Sequence, residues 1–240
     1  MSRGPFFVLF LNPILTKGCQ MHTDSSGTII YQAVGNHCAV DLTALVQELA
    51  DKHNHKISKA DALAILEVKG LRSVMVDFIS IGRSLIGKAQ HHRPARMAQA
   101  PDVVSCSSLT KYLYGLLGIW LPRRAIQQKT FGSPVAITEL QAGDLVFRRG
   151  LLRRTSFYDD PNHGIGHVGL STGDKTIIHA TNHKRGVVED PVDQFTADKR
   201  YPRGACRIIP ADSQIVTLKT LDYWEVETSD DIKWIILQSL

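Results

Sequence analysis

Hydrophobic residues recur every three or four positions in the first part of the chain, as expected for amphipathic helices. One such run follows Asp41 and comprises Leu42, Leu45, Val46 and Leu49. A second begins at Ser58, with Asp61 three residues later as a capping-box partner, and stops at Gly70. A third covers residues 73–86, and the polar, proline-containing segment 88–102 after it is predicted to be a loop.

The pattern changes from helical to strand-like in the middle of the chain. A fourth helical run begins at Cys106 and ends near Gly118. Short apolar runs separated by turn residues follow at 145–147, 167–172, 176–181 and 186–189. Helices followed by strands predict an α+β fold rather than alternating βαβ units. The tail ends on an amphipathic run from Asp230, which is expected to pack on the body of the protein.

Composition and charge narrow the class of protein only slightly. A chain of 240 residues with 43% hydrophobic content is long enough to bury one sizeable core. The net charge of +5 suits an anionic partner such as nucleic acid, a membrane surface or an acidic cell-wall polymer, and it equally suits plain solubility. The two helices predicted over 42–70 also fit a DNA-binding helix-turn-helix, although any helical hairpin has this pattern.

The N-terminus and the cysteines bear on location. Within residues 1–20, Arg3 is followed by an apolar run that Asn12 and Pro13 interrupt, and Lys17 stands near the place where cleavage would need a small residue, which makes a poor secretory signal. Nothing else approaches the roughly 18 consecutive apolar residues of a membrane-spanning helix. Four cysteines without a C-x-x-C pair indicate neither a zinc knuckle nor a disulfide-dense scaffold; they are Cys19, Cys38, Cys106 and Cys206.

Candidate chemistry begins with Cys106 at a helix start. Unpaired N–H groups there lower a thiol pKa and favour a nucleophile, whereas a buried thiol in the core is the alternative. His167 and His179 lie on two strand-like runs joined by the turn at Gly173 and Asp174. An antiparallel hairpin with this even spacing puts both imidazoles on one face. The pattern predicts Cys106 as nucleophile, His167 as base and His179 as the group that orients the base.

A metal site is the competing interpretation of the same histidines. His163 and His167, like His179 and His183, are four residues apart and with Cys106 could ligate zinc. Four-residue spacing brings side chains together on a helix but not in the loop-and-strand segments where these pairs occur. The sequence therefore disfavours the metal site. The basic residues His91, His92, Arg93 and Arg96 are most simply a solvated loop.

Five blocks of the chain resemble, in order, the motifs of the NlpC-type cell-wall cysteine peptidases, which are papain-like in fold. The blocks are Ser105-Cys106-Ser107-Ser108, Gly118-Ile119-Trp120-Leu121-Pro122-Arg123 with Gln127 or Gln128 beyond, 140–147, His167-Val168-Gly169-Leu170, and Ile178-His179-Ala180. The resemblance implies a catalytic helix packed on an antiparallel sheet. It covers about residues 73–209, and so predicts a helical region of unknown role at 1–72, a peptidase domain at 73–209 and a C-terminal extension at 210–240.

The resemblance also implies an activity. Cys106, His167 and His179 would hydrolyse amide bonds in peptidoglycan stem peptides, typically the γ-D-glutamyl–diaminopimelate bond, through a thioester on Cys106. No metal or organic cofactor and no nucleic-acid partner is implied. Ser105, Ser107, Arg123, Arg153 and Arg154 are the predicted substrate-binding residues. The arginines of the segment between Phe147 and His167 would rim the cleft and bind substrate carboxylates, or else form a solvated loop.

The chain departs from the family pattern at two places. Ser105 and Ser108 replace an Asp and a Gly, although Ser105 can still cap the helix. The segment 87–90 lacks the family's Tyr, which would line the site. An inactive cell-wall binding relative, an amidase or acyltransferase acting on another substrate, and a nucleic-acid module built on the N-terminal helices therefore stay open. The family's substrate lies outside the membrane, so we expect the cell envelope or secretion, with a cytoplasmic location open because the export signal is weak.

Overall fold

The structure is a computed structural model that describes residues 21–24, 28–149, 160, 164–197, 202–221 and 225–240. The N-terminal segment 1–20, judged a poor secretory signal, and the predicted substrate-binding residues Arg153 and Arg154 lie outside this described part. Within it, no helix has the length and apolar character needed to cross a membrane.

Thirteen strands and seven helices make up the described part of the chain. The helices are α1 (Leu42–His53), α2 (Lys59–Val68), α3 (Phe78–Ser84), α4 (Cys106–Leu116), α5 (Ala125–Lys129), α6 (Val192–Thr196) and α7 (Ser229–Leu237). The strands are β1 (His22–Thr23), β2 (Ile29–Ile30), β3 (His37–Asp41), β4 (Arg72–Val74), β5 (Gln90–His91), β6 (Val103–Val104), β7 (Ser133–Val135), β8 (Leu145–Arg149), β9 (Ile165–Ser171), β10 (Thr176–Asn182), β11 (Gly186–Pro191), β12 (Pro202–Arg207) and β13 (Ile215–Lys219).

A six-stranded antiparallel sheet, in the order β11-β10-β9-β8-β12-β7, forms the centre of the larger unit. Helix α4 packs on β9 and β10, where Leu109 and Leu113 join Phe147 and Ile178 in one buried cluster. The opposite face carries a smaller apolar cluster around Phe195 of α6. The predicted α+β class is therefore confirmed, with the helix that begins at Cys106 lying on an antiparallel sheet.

The starts of α1 and α2 follow the predicted capping residues. The Asp41 carboxylate accepts hydrogen bonds from the N–H groups of Thr43 and Ala44 at the start of α1. Ser58 and Asp61 form the predicted capping box of α2. These starts depend only on neighbouring residues, because a capping side chain satisfies N–H groups that the first turn leaves unpaired.

The predicted helix over 73–86 is wrong at its N-terminal end. Residues 72–74 form strand β4, which pairs with β13 through Ser73 opposite Leu218. The helix begins only at Phe78, because the Asp77 carboxylate accepts from the Ser80 N–H and caps the chain there. The first residues of the helical pattern therefore form a strand, because they pair with a strand that is distant in the sequence.

The smaller unit is a three-stranded antiparallel sheet, in the order β3-β13-β4, covered by α1, α2 and α7. Its core is largely aliphatic and includes Leu45, Leu49, Leu66, Leu218 and Ile236. Residues from both ends of the chain thus share one sheet. The division into 1–72, 73–209 and 210–240 stays a prediction, to which the structure adds that the first and last of these segments pack together.

The two units meet at the C-terminal end of α4. Gly118 has a φ of +76°, and a Cβ there would lie 2.6 Å from the main-chain nitrogen of Cys38. The Ala39 N–H donates to the Gly118 carbonyl at 3.1 Å, and the Thr217 hydroxyl donates to the Leu117 carbonyl at 3.0 Å. The helix that carries Cys106 is therefore fixed at its far end by the smaller sheet.

Candidate active site

Cys106 is the first residue of α4, and its position is set by the serines on either side. The Ser105 N–H donates to the Ser108 hydroxyl at 2.7 Å, and the Ser108 N–H donates to the Ser105 hydroxyl at 3.4 Å. This reciprocal pair is a capping box, so Ser105 caps the helix as expected. The first N–H groups of α4, which include that of Cys106, have no partner within the helix and point out of its start.

The Cys106 thiol is less acidic than the sequence pattern predicts. Burial raises its pKa, and hydrogen bonds from the main chain at Val168 and Ser107, with the nearby charges of Arg93 and Arg123, offset only part of that rise. The main chain at the helix start does lower the pKa as expected, but burial outweighs it, so the thiol pKa is raised overall. The contact with Val168 also places the thiol beside β9, next to the residue that follows His167.

His167 and His179 form a hydrogen-bonded pair on adjacent strands. The Nε2 atom of His167 lies 2.9 Å from the Nδ1 atom of His179. Strands β9 and β10 are antiparallel with Ile178 opposite Leu170, which places both rings on the same face of the sheet. The predicted hairpin and the shared face are confirmed.

Burial keeps both imidazoles neutral near pH 7. It lowers the pKa of His167 well below the usual 6.5, with further lowering by the neighbouring His179 and Arg148. It also lowers the pKa of His179 to about 4, against the opposing effect of a hydrogen bond to Asp190. The ring of Phe195 packs on both histidines, with centroid distances of 5.7 and 4.9 Å.

Asp190 is a site residue that the sequence reasoning missed. Its Oδ2 atom lies 2.9 Å from the Nε2 atom of His179, and its Oδ1 atom accepts from the guanidinium of Arg185 at 2.9 Å. Burial raises the Asp190 pKa, but the hydrogen bonds from His179 and Arg185 outweigh this, so the pKa is lowered overall. No local motif marks Asp190, since its partner lies on another strand.

Ser107 and Arg123 are bonded to each other in the wall of the site. The Arg123 guanidinium donates to the Ser107 hydroxyl at 3.1 Å and to the Ala95 carbonyl. Gln128 is fully buried and donates from Nε2 to the carbonyls of Ser107 and Pro122. Of the two candidate glutamines, Gln128 is therefore the one that supports the start of α4.

A cleft of about 560 Å³ opens above Cys106 and His167. Arg93, Arg123 and Arg124 line it, and none of its described lining residues is an Asp or Glu. His91 also lines the cleft, on strand β5, which pairs in parallel with β6 just before Cys106. The interpretation of this segment as a solvated loop is therefore wrong for His91 and Arg93, which form a wall of the site.

Arg148 also differs from its predicted place in a surface loop. It lies on β8 directly opposite His167, and its guanidinium carbon is 4.5 Å from the centre of the Phe195 ring. Burial lowers the pKa of Arg148, while the nearby Asp190 and Cys106 raise it. Within the described part of the chain, no group of three His, Cys, Asp or Glu side chains is arranged to hold a metal ion.

Comparison with known proteins shows what the region that contains this site is similar to. The model of the NlpC/P60 family matches residues 94–204. A probable endopeptidase of Corynebacterium glutamicum is 36% identical over 96 residues, which are 40% of this chain and 40% of the relative. A γ-DL-glutamyl hydrolase of Bacillus subtilis is 30% identical over 124 residues, which are 50% of this chain and 28% of that protein.

The matched region is only part of these relatives. The chain spans about 40% of the length of the corynebacterial protein. The structure is also similar to the crystal structure of an NlpC/P60 family protein from Bacillus cereus, with a TM-score of 0.46 and 27% identity, over 56% of this chain and 40% of that one. The region at residues 94–204, which contains Cys106, His167 and His179, is thus the part of the chain that matches the NlpC/P60 family.

Proposed function

We propose that the protein is a cysteine peptidase that hydrolyses amide bonds in peptidoglycan stem peptides. One observation carries the proposal: Cys106 at the start of α4 and His167 line a single cleft, and the buried His179 is hydrogen-bonded to His167. A nucleophile, a base and a group that orients the base are the parts needed for acyl transfer through a covalent intermediate.

The resting state in this proposal is a neutral thiol beside a neutral imidazole. His167 takes the thiol proton as Sγ attacks the substrate carbonyl, and the main-chain N–H of Cys106 stabilises the oxyanion. The tetrahedral intermediate collapses when protonated His167 gives its proton to the leaving amine, which leaves a thioester on Cys106. Water, deprotonated by His167, then hydrolyses the thioester and restores the free thiol.

The charge of the cleft supports an acidic peptide as substrate. Three arginines, Arg93, Arg123 and Arg124, line it with no acidic side chain among the described lining residues. Guanidinium groups bind carboxylates with paired hydrogen bonds, and stem peptides carry free carboxylates beside the proposed γ-D-glutamyl–diaminopimelate bond. The B. subtilis relative is named a γ-DL-glutamyl hydrolase, which agrees with this bond type. Ser105, Arg153 and Arg154 stay proposed substrate-binding residues.

Incubation with purified muropeptides, followed by mass spectrometry of the products, tests the proposal. Wild-type protein should release two fragments that divide the stem at the proposed bond, and Cys106→Ala should release none. Cys38→Ala is the matched control, because Cys38 is buried in the smaller unit away from the cleft, and it should cleave as wild type does. Equal products from wild type and Cys106→Ala, or none from either, would remove the hydrolase proposal and leave an inactive binding relative.

The mass of the trapped intermediate separates a peptidase from an amidase or acyltransferase with another substrate. Rapid acid quenching during turnover should add the mass of the N-terminal stem fragment, less one water, to the peptide that contains Cys106. An adduct of a different acyl group would assign the cysteine to another reaction. The proposed place of action is the cell envelope, and fractionation of producing cells checks it, with recovery in the cytosolic fraction alone counting against it.

The proposed binding of substrate carboxylates by the arginines of the cleft can be tested by comparing a stem peptide with its amidated form. Arg124→Gln should raise the KM for the acidic peptide several-fold and leave the KM for the amidated peptide nearly unchanged. Arg96→Gln is the matched control, since Arg96 is exposed and lies outside the cleft lining. Equal effects of Arg124→Gln on both peptides would show that the arginine does not bind the carboxylate.

A further inference from the structure

Three hydrogen bonds connect His167 to the protein surface in an unbroken series. His167 Nε2 contacts His179 Nδ1, His179 Nε2 contacts Asp190 Oδ2, and Asp190 Oδ1 accepts from Arg185 Nη2, each at 2.9 Å. The Asp190 side chain is 11% exposed, whereas that of Arg185 is 51% exposed. The series therefore runs from a buried base to a cation at the edge of solvent.

The chemistry at the Asp190 end fixes the direction of every bond in the series. An ionised carboxylate only accepts hydrogen bonds, so the proton between Asp190 and His179 must be on His179 Nε2. A neutral imidazole carries a single N–H, which leaves His179 Nδ1 as an acceptor. His167 must then donate from Nε2, and its own Nδ1 is left with a free lone pair.

We propose that Asp190 is a positioning residue that sets the tautomers of His179 and His167, and that Arg185 holds its carboxylate in place. The catalytic consequence rests on the function proposed above, since a base that takes the Cys106 proton needs an unprotonated ring nitrogen. His167 Nδ1 is that nitrogen only while His167 and His179 each carry and donate their proton from Nε2. Asp190 thus acts together with Cys106, His167 and His179, although its carboxylate does not touch the substrate.

The protonation states of the groups agree with this assignment. Burial lowers the pKa of both imidazoles, to about 4 for His179, so near pH 7 each ring carries one proton. The pKa of Asp190 is lowered by its two hydrogen bonds, which keeps the carboxylate ionised. Arg185 is itself held in the turn between β10 and β11, where the Asn182 side chain accepts from its N–H at 3.1 Å.

Asp190→Asn keeps the same hydrogen-bonded contacts but exchanges donor and acceptor in the contacts that link Asp190, His179 and His167. Because Arg185 only donates, the amide oxygen will face Arg185 and the amide NH₂ will face His179 Nε2. His179 must then accept at Nε2 and carry its proton on Nδ1, and His167 must carry its proton on the nitrogen that should serve as base. We expect kcat to fall by about 10²- to 10⁴-fold with little change in KM, as for a base held in the wrong tautomer.

Nitrogen-15 NMR of histidine-labelled protein at pH 7 reports the tautomers directly and does not depend on turnover. Wild type should show protonated Nε2 and unprotonated Nδ1 on both rings, with resonances assigned from His167→Gln and His179→Gln. Asp190→Asn should show the opposite tautomers, and Asp193→Asn, an exposed acidic residue on the nearby α6, should match wild type in tautomers and kcat.

The outcomes separate this inference from the proposed function. A wild-type His179 protonated on Nδ1 overturns the inference even if the protein cleaves muropeptides. Wild-type tautomers as expected support it even if no substrate is cleaved. If Asp190→Asn folds and keeps both the wild-type tautomers and the wild-type kcat, Asp190 does not position the pair. If Asp190→Asn fails to fold, the spectrum of wild type alone decides.

Discussion

Gly169 lies directly opposite His179 across the pair of strands β9 and β10. A Cβ at position 169 would stand 3.2 Å from the Cβ of His179 and 2.3 Å from a methyl group of Ile177. Real Cβ atoms do not come within 2.3 Å of another atom, so a side chain at position 169 would first displace Ile177, and the 3.2 Å approach to His179 would press on that residue as well. The glycine of the His-Val-Gly-Leu block thus leaves room for both Ile177 and His179 on the neighbouring strand.

Gly169→Ala should therefore displace Ile177 and shift the neighbouring His179. We expect a destabilisation of about 1–3 kcal/mol, as for overpacking in a core, and a loss of most muropeptide cleavage. Urea unfolding and product analysis measure the two effects. Gly115→Ala is the control, since the added Cβ would meet only the side chain of Val34 at 3.3 Å. Full cleavage by a folded Gly169→Ala protein would show that the contact is not needed.

The buried, neutral His179 makes the stability of the protein depend on pH. Its pKa is about 4 in the folded protein and 6.5 in the unfolded chain, so the unfolded chain binds the proton more readily. Stability from this group is fully present above about pH 6.5 and is lost as the pH falls toward 4. The groups that face the ring are His167, Asp190, Arg148 and Arg185.

Going from pH 7 to pH 4 should cost about 3 kcal/mol from His179 alone, with an added loss from His167, whose pKa is also lowered. Urea unfolding at several pH values measures this dependence. His179→Asn should be less stable at pH 7 but should show a shallower dependence between pH 6.5 and 4. An equal slope in wild type and variant would mean that His179 is not held neutral by burial.

Gln128 should support the active-site helix through its buried side chain. Gln128→Leu leaves the carbonyls of Ser107 and Pro122 without these donors and removes one of the two acceptors of the Thr110 hydroxyl. We expect a loss of about 2–4 kcal/mol in the free energy of unfolding. Gln127→Leu, at the exposed neighbour that accepts only from the Arg124 N–H, should cost less than about 1 kcal/mol. Similar losses for both variants would contradict this role.

Asp144 and Arg207 form a bidentate ion pair beneath β8. The guanidinium donates to both carboxylate oxygens, at 2.9 and 2.8 Å, and the Asp144 side chain is only 2% exposed. Arg207→Met should cost about 3–5 kcal/mol because it leaves a buried charge unpaired. The double variant with Asp144→Asn should recover part of that loss in thermal unfolding. A double variant no more stable than the single one would show that the charge is not the cause.

Local chemistry explains which parts of the fold could be predicted from the sequence. The starts of α1, α2 and α4 depend on capping side chains within three residues, and the histidine pair depends on an even spacing across a tight hairpin. Both the helix starts and the histidine pair can therefore be predicted from residues that are close together in the sequence. The strand β4 was mistaken for helix because its partner β13 lies far away in sequence, and an apolar pattern of that length does not distinguish the two.

The residues of the candidate site also differ in whether the sequence predicts them. Cys106, His167 and His179 belong to recognisable blocks, whereas Asp190 reaches His179 only through the register of β10 and β11, which shifts between Ala180 and Asn182. The sequence likewise does not predict that the pKa of the Cys106 thiol is raised. A helix start predicts a lowered pKa, but the burial that opposes it is produced by the packing of distant segments.

The order of strands in the smaller sheet has a consequence for biosynthesis. Its central strand, β13, is made last, after β3, β4 and every strand of the six-stranded sheet have left the ribosome. Until β13 arrives, β3 and β4 have no strand between them, and the leucines of α1 and α2 lack part of their cover. A nascent chain or a proteolytic fragment that ends before β13 should therefore expose apolar surface and a loosely held α4, so chaperone binding and aggregation should be greatest in that window of synthesis.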